Sequence, residues 1–321
     1  MSEPAVLVAV AGAGAFGKNH LRVIRESHVE LAGVYDLDPE RARAAAAEFG
    51  CRAYDSLEDL AGHAQAAIVA VPTSAHRTVA CQLLEAGLDI LVEKPIAPSV
   101  AEAHDMIVAA RQHGRILQVG HLERFNPAVA AARKLVTFPL FFEIHRLSIF
   151  SPRSLDVDVV LDLMIHDLDI LLAMTGAMPS EVRAAGIPVL SDKADIANVR
   201  LEFPSGCIAN LTASRVSTEK VRKLRFFQPR QYISVDYAKQ ECFGIGVDDN
   251  RQVKLMPQMV TKQEPLKRQF ESFLECIATR AKPDVDGEAA AQALELACII
   301  MEKIAEHGAV VARSLASTSK S

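Results

Sequence analysis

No CxxC pair and no paired histidine spacing accompany the six cysteines (Cys51, Cys81, Cys207, Cys242, Cys276 and Cys298). That pattern excludes a zinc framework and leaves reduced, mostly buried thiols as the expectation. No apolar run approaches the roughly 18 residues needed to span a bilayer. Met1, Ser2, Glu3 and Pro4 lead directly into Val6–Val10 without a basic n-region or a small-residue cleavage site, so a cytoplasmic protein is expected. An excess of positive charge is also missing. Against 40 Asp and Glu stand 35 Lys and Arg, a net charge of −5, which argues against nucleic acid as a partner. No internal repeat is visible. What is present is an ordinary globular composition, with 50% hydrophobic and 23% charged residues, enough for a sizeable core. At roughly 100 to 200 residues per domain, 321 residues suggest two domains.

From Ala5 to about Gly120, the runs LVAVAG, ELAGVYD, AAIVAVP, DILVEKP and RILQVG alternate with helical stretches. They are apolar almost throughout, as strands of a parallel sheet covered on both faces must be. Between the last two, Ser99 and Glu102 form a capping box, Gly114 marks the C-terminal stop, and Val100, Ala103, Ile107 and Ala110 recur at helical spacing. After His121 the pattern changes. A helix near Asn126–Leu135, a strand over Phe141–Phe150 and a helix near Val159–Met174 are followed by closely spaced strand candidates: EVRAAGIPVL, IANVRLEF, CIANLTASR, KLRFFQ and QYISVDY. Such spacing predicts a mostly antiparallel sheet. Helices over Leu266–Thr279 and Asp286–Glu306 close the chain. The expected division is therefore a doubly wound parallel α/β domain over 1–121, an α+β domain over 122–313, and a disordered Ser-rich tail over 314–321.

Gly12, Gly14 and Gly17, with Ala15 and Phe16 between the last two, form GxGxxG directly between the first strand and a helix. There the chain must turn tightly and let a pyrophosphate reach the backbone at a helix N-terminus. The second strand ends at Asp36, 19 residues after Gly17, where a carboxylate accepts the ribose hydroxyls. No Arg immediately follows it, and NAD is favoured over NADP. Pro72, Thr73 and His76 follow the third strand and are expected along the cofactor wall. His20, on the first helix, is read as packing.

AGAGAFG, VAVPTSAH, VEKP and DLMIHDLD, in this order, resemble the Gfo/Idh/MocA oxidoreductases, and the resemblance spans nearly the whole chain. It implies a Rossmann domain, a second domain whose open sheet joins subunits into a homodimer or homotetramer, and oxidation of sugar-like carbinols. It marks Lys94 of EKP as the group beside the reacting hydroxyl, with Glu93 holding it in place and both residues expected against the cofactor, and Asp162 and His166 as the acid–base pair. The residues supply reasons of their own. Lys94 ends a strand where α/β sheets bind ligands, and Asp162 and His166 are four apart on one helix face, with imidazole able to titrate near neutral pH. No metal is expected.

His121, Glu123, Arg124 and Asn126 crowd polar groups into the expected domain junction, and they are assigned to the substrate together with His166. The segment GHLERFNP with DLMIHDLDI resembles the branch of the family acting on nucleotide sugars. That resemblance implies oxidation of the 3-hydroxyl of UDP-N-acetylglucosamine, a step toward lipid A-type or surface glycans. Arg124 first, then Arg146 and Arg153, are the guanidiniums considered for its diphosphate, Arg146 being equally readable as a solvated sheet residue. Two other readings stay open: a dehydrogenase of inositol or another sugar, and a non-catalytic dinucleotide sensor.

Overall fold

A computed structural model of the chain describes residues 6–150 and 157–318. The elements run β1 (Leu7–Ala11), α1 (Ala15–Arg25), β2 (Glu30–Tyr35), α2 (Pro39–Phe49), β3 (Arg52–Tyr54), α3 (Leu57–Ala61), β4 (Ala66–Val69), α4 (His76–Glu85), β5 (Asp89–Glu93), α5 (Val100–Gln112) and β6 (Leu117–Gly120). They continue with α6 (Pro127–Arg133), β7 (Phe141–Ile149), α7 (Ile165–Thr175), β8 (Glu181–Ile187), β9 (Ile196–Glu202), β10 (Ile208–Ser217), β11 (Val221–Gln228) and β12 (Gln231–Asp236). Last come β13 (Glu241–Val247), β14 (Val253–Pro257), α8 (Pro265–Thr279) and α9 (Gly287–Thr318).

These elements fall into two units: Met1–Leu122 with Glu264–Ala291, and Glu123–Gln263 with Gln292–Ser321. The division is therefore not linear along the chain, as the expectation of 1–121 followed by 122–313 had it. The reason is α8, whose Phe270, Phe273 and Cys276 pack into one core with Val8, Val10, Leu21, Ile24, Ile68 and Leu91. Each large apolar side chain buried this way contributes about 1.5–3 kcal/mol, and an amphipathic pattern does not name the core it will join. A second correction concerns the tail. Residues 314–318 continue α9 as helix and are not disordered.

In the first unit the six strands lie parallel in the order β3-β2-β1-β4-β5-β6. The order reverses between β1 and β4, the place where sheets of this kind receive ligands. The capping box stands as expected: the Ser99 side chain accepts from the Glu102 N–H, and Gly114 follows α5 at φ +60°. The short strand β3 adds an edge to the five strands foreseen.

The second unit is built on an eight-stranded sheet, β14-β13-β12-β11-β7-β10-β9-β8, antiparallel except where β7 meets β10. Burial alternates along β7, β9 and β10. Phe142, Ile144, Leu211, Leu224, Phe226 and Ile233 face a core shared with Leu168, Leu171, Leu296 and Ile300. The outer face keeps Phe227, Phe243, Val247, Val253 and Leu255 exposed. Strands β13 and β14 extend the sheet past the last strand foreseen from the sequence.

One loop of this unit braces the approach to α7. Buried Asp195 accepts the N–H groups of Val189 (2.7 Å), Leu190 (2.6 Å) and Ser191 (3.0 Å) and the Ser191 hydroxyl (2.8 Å), with Arg215 Nε at 3.1 Å. Arg215 donates to the carbonyls of Val157 and Ala194, and the Val159 N–H donates to Ala194 as well. Burial alone would push the Asp195 carboxyl up; the N–H and hydroxyl donors outweigh it and bring its pKa down to about 2. A carboxyl lowered on folding stabilises above its unfolded value of about 3.9, and that stabilisation is lost as the pH falls toward the folded value. In urea titrations, Asp195→Asn should therefore be less stable than the wild type by about 2 kcal/mol at neutral pH, and the gap should close between about pH 4 and pH 2. A gap that stayed constant through that window would refute the assignment.

Candidate active site

The first chemical feature is the turn after β1. The Gly12 N–H donates to Tyr35 O at 2.7 Å, and a Cβ at Gly12, whose φ is +105°, would lie 2.5 Å from Ala70 O beyond β4. A Cβ at Gly17 would lie 1.8 Å from Gly12 O. Both positions require glycine for close packing at the point where the strand order reverses. Gly14 is different, because a Cβ there would meet nothing within 4 Å. It is the N-cap of α1, no side chain caps that helix start, and Ala15 and Phe16 beside it are exposed. Open ground before an uncapped helix N-terminus suits a pyrophosphate. Asp36 completes the cradle. Its carboxylate is buried, fastened by the Ala13 N–H at 2.7 Å and the Asp38 N–H at 2.9 Å, with Arg41 Nη1 at 3.4 Å. These residues fit a dinucleotide. Arg41 escaped the sequence reading because α2 brings it back beside Asp36 from five residues away.

Lys94 follows β5 at the same C-terminal edge of the sheet and is half-buried, joined to Pro95 by a cis peptide bond. Glu93 does not face outward as a simple cofactor contact. One carboxylate oxygen lies 2.6 Å from Nε2 of buried His20 on α1, and the other accepts the Lys94 N–H at 3.3 Å. Burial pushes Glu93 up, but the hydrogen bond and charge of His20, with those of Lys94, more than offset it and hold the carboxyl below its usual range. His20 is thus more than packing. The available signal was its position three residues after Gly17, on the helix face turned to the sheet.

The expectation for His76 is corrected. Its ring is buried, with Nδ1 3.0 Å from Pro95 O and 3.3 Å from Ile96 O, and Nε2 3.0 Å from Val71 O. It ties the turn after β4 to the turn after β5 instead of lining a cofactor wall. Burial lowers its pKa, with the three carbonyls pulling the other way. Thr73 and Pro72, by contrast, are accessible at the end of β4. His121 is buried just after β6.

In the second unit, Asp162 and His166 stand on a helix whose first turn, Val160–Met164, has π geometry; the Ile165 N–H donates to Val160 O. Such turns recur at functional sites. Both side chains are partly exposed, while Met164, Ile165, Asp167, Leu168 and Asp169 are buried, so the pair shares the open side of the helix as its spacing predicts.

The buried neighbours explain how that helix is held. Arg146, 2% exposed, donates Nε and Nη2 to the two Asp167 oxygens at 2.6 and 2.8 Å, and Nη1 to Glu123 at 2.9 Å. The Tyr237 hydroxyl donates to Asp167 at 3.2 Å, and Arg146 lies over the Tyr237 ring. Arg124 donates to both oxygens of Asp169 at 2.8 and 2.6 Å. Asn126 caps α6 through the Ala128 N–H and donates to Tyr237 O at 3.0 Å. Burial would lower Arg146, but Asp167 and Glu123 raise it well above the usual value; burial lifts Glu123, and Arg146 above all returns it below the usual range. Assigned to substrate from their polar density, Glu123 and Asn126 are instead bonded to each other, to Arg146 and to Tyr237, and Arg124 pairs with Asp169 on α7. Arg153 lies outside the described residues.

Comparison with known proteins agrees with this architecture. Residues 6–121 match the oxidoreductase family with an NAD-binding Rossmann fold, Gfo/Idh/MocA, and residues 139–233 match its C-terminal domain. The chain belongs to the Gfo/Idh/MocA oxidoreductase family. It is 38% identical to a UDP-N-acetylglucosamine 3-dehydrogenase from Acidithiobacillus ferrooxidans over 90% of this chain and 94% of that protein. A solved structure of an enzyme of that description and organism superposes with a TM-score of 0.90 at 36% identity, covering 94% of this chain and 99% of the other. An inositol 2-dehydrogenase from Rhizobium meliloti is 27% identical over 92% of this chain and 96% of its own length. As a Gfo/Idh/MocA member, the protein is an NAD-dependent dehydrogenase. No helix among the described residues is long and apolar enough to cross a membrane.

The Arg124–Asp169 pair yields a direct test. Removing one partner leaves the other charge buried and uncompensated, which costs about 3–5 kcal/mol. Arg124→Ala should lose about that much unfolding free energy in urea, and the double variant Arg124→Met/Asp169→Leu should regain much of it. A raised KM at unchanged stability would instead return Arg124 to the substrate.

Proposed function

We propose that this dehydrogenase oxidises the 3-hydroxyl of UDP-N-acetylglucosamine to the 3-keto sugar. The observation carrying the reading is 38% identity across 90% of the chain to an enzyme of that name, with both chemical positions, Lys94 and His166, filled. NAD, when bound, accepts the hydride released from the carbinol carbon. The residues to hold it are Gly12, Gly14 and Gly17 at the pyrophosphate, Asp36 at the ribose hydroxyls, and Pro72 and Thr73 along its side.

The remaining chemistry belongs to the chain. The carbinol must lose a proton as its carbon loses a hydride. In this reading the Lys94 ammonium stabilises the negative charge developing on the carbinol oxygen, and Glu93, fixed by His20, steadies the turn that carries the lysine. His166 takes the hydroxyl proton, since imidazole accepts and returns protons near neutral pH, and Asp162 on the same side of the helix orients it. Six thiols without a disulfide accord with a reducing, cytoplasmic setting.

Purified protein incubated with NAD and a sugar panel, followed by the absorbance of reduced cofactor, should turn over UDP-N-acetylglucosamine and leave inositol and free glucose untouched. Lys94→Ala and His166→Ala should each lower kcat by about 10²–10⁴-fold. Turnover of inositol or glucose without any UDP-sugar would replace the substrate, and no turnover of any sugar would favour the sensor.

The open sheet face carries a second part of the reading, homo-oligomerisation. Phe141 and Tyr232 stack against Phe227 across β7, β11 and β12, and Ile245 pairs with Leu255, Val247 with Val253 farther along. An exposed apolar patch of this kind marks an interaction surface, here for a second copy of the chain. Sedimentation should give a dimer or tetramer, and Phe243→Asp/Val247→Asp should shift it to monomer; a monomeric wild type would refute this.

A further inference from the structure

We propose that Arg222 binds the diphosphate of the nucleotide-sugar substrate, an inference that rests on the substrate reading above. The other two guanidiniums of its cluster are closed. Arg124 is paired through Nε and Nη2 with both oxygens of Asp169, and Arg146 through all three nitrogens with Asp167 and Glu123. Arg222, at the start of β11, is the direct cross-strand neighbour of Arg146, in the row that continues through Leu224 and Phe226 into the core. Its contact with a carboxylate is long: Nη1 lies 3.5 Å from Glu123, whose same oxygen already receives Arg146 at 2.9 Å. Its Nε is buried with no acceptor among the described residues, yet 32% of the side chain reaches solvent.

A guanidinium offers five donors in a rigid fork, and a buried donor left without an acceptor is uncommon enough to need a reason. Here a second guanidinium adjoins it. Burial first, and then the Arg146 charge, lower the pKa of Arg222, with Glu123 and Asp167 opposing. Strand pairing thus fixes a cation beside a like charge with its fork half unfilled. A phosphate oxygen pair meets both deficits at once, accepting from Nε and Nη in the bidentate geometry that arginine makes with phosphate. The anchor is also tied to the chemistry, because Arg146 joins Arg222's neighbourhood to Asp167, the residue after His166.

The test is titration calorimetry of the NAD-loaded protein with UDP and, separately, with inorganic pyrophosphate, on wild type, Arg222→Gln and Arg222→Lys. Arg222→Gln should weaken both probes at least tenfold and flatten the salt dependence of binding. Arg222→Lys, which keeps the charge and loses the fork, should fall between. NAD affinity and the thermal midpoint monitor folding. Unchanged probe affinity in both variants, or a wild type that binds neither probe, overturns the proposal; a lower midpoint with unchanged affinity also does, leaving Arg222 as a strut. Wild type that binds pyrophosphate but not UDP, with the loss in Arg222→Gln retained, supports the anion site while overturning the nucleotide-sugar reading.

Discussion

A carboxylate taken out of water must be met by cations or N–H donors, and Asp167 is met by Arg146 on both oxygens and by the Tyr237 hydroxyl. The constraint works in both directions. Arg146 is almost wholly buried and depends on Asp167 and Glu123 for its charge; losing either partner strands an ion in low dielectric. The consequence is a fixed rotation of α7. With Asp167 and Asp169 both held inward, Asp162 and His166 are left on the open side, and the π turn before Ile165 sets where that side begins. A network of this kind adds little net stability over a well-packed apolar core. What it supplies is one orientation, which is what a base needs if it is to meet a defined hydroxyl.

The first unit repeats the device with different partners. Glu93 is drawn to His20 and to the Lys94 N–H, and the next residue in sequence, Lys94, is left half-exposed. His76 then clamps the turns after β4 and β5 through three carbonyls. Because His20 lies on α1, the helix whose N-terminus forms the dinucleotide cradle, the cradle and the lysine turn share a rigid connection. In each unit, then, a pinned carboxylate stands directly beside a side chain proposed for the chemistry, Lys94 or His166. Pinning the neighbour leaves that side chain its access to solvent while removing backbone freedom.

The parts legible in the sequence are those in which cause and effect lie within a few residues. Gly12 and Gly17 must be glycine because their own loop folds onto itself and onto Ala70; Ser99 caps a helix three residues away; apolar runs without alternation belong to a sheet covered on both faces. Asp36 was legible at 19 residues because a strand of fixed length separates it from the glycines. The membership of α8 in the first core was not legible, since Phe270 and Phe273 would look the same in either core. Strands β13 and β14 were missed because Gly244 and Gly246 dilute the β-branched signal, and Met256, which packs against both glycines, lies on the partner strand.

The segment from His121 to Asn126 shows the harder limit. Dense polar side chains beside predicted core elements have two physical outcomes: they face a polar ligand, or they are buried against one another. The deciding partners here lie 45 residues away for Arg124 and 23 away for Glu123, and nothing in the spacing announces them. Donor and acceptor counts within the folded cluster do decide. Arg124 faces two oxygens of one carboxylate and Arg146 three oxygens of two. Arg222 shares one oxygen at 3.5 Å and keeps a buried N–H without an acceptor among the described residues, while strand register holds it beside Arg146. Polar density along the chain does not separate the two outcomes; the pairing inside the folded cluster does.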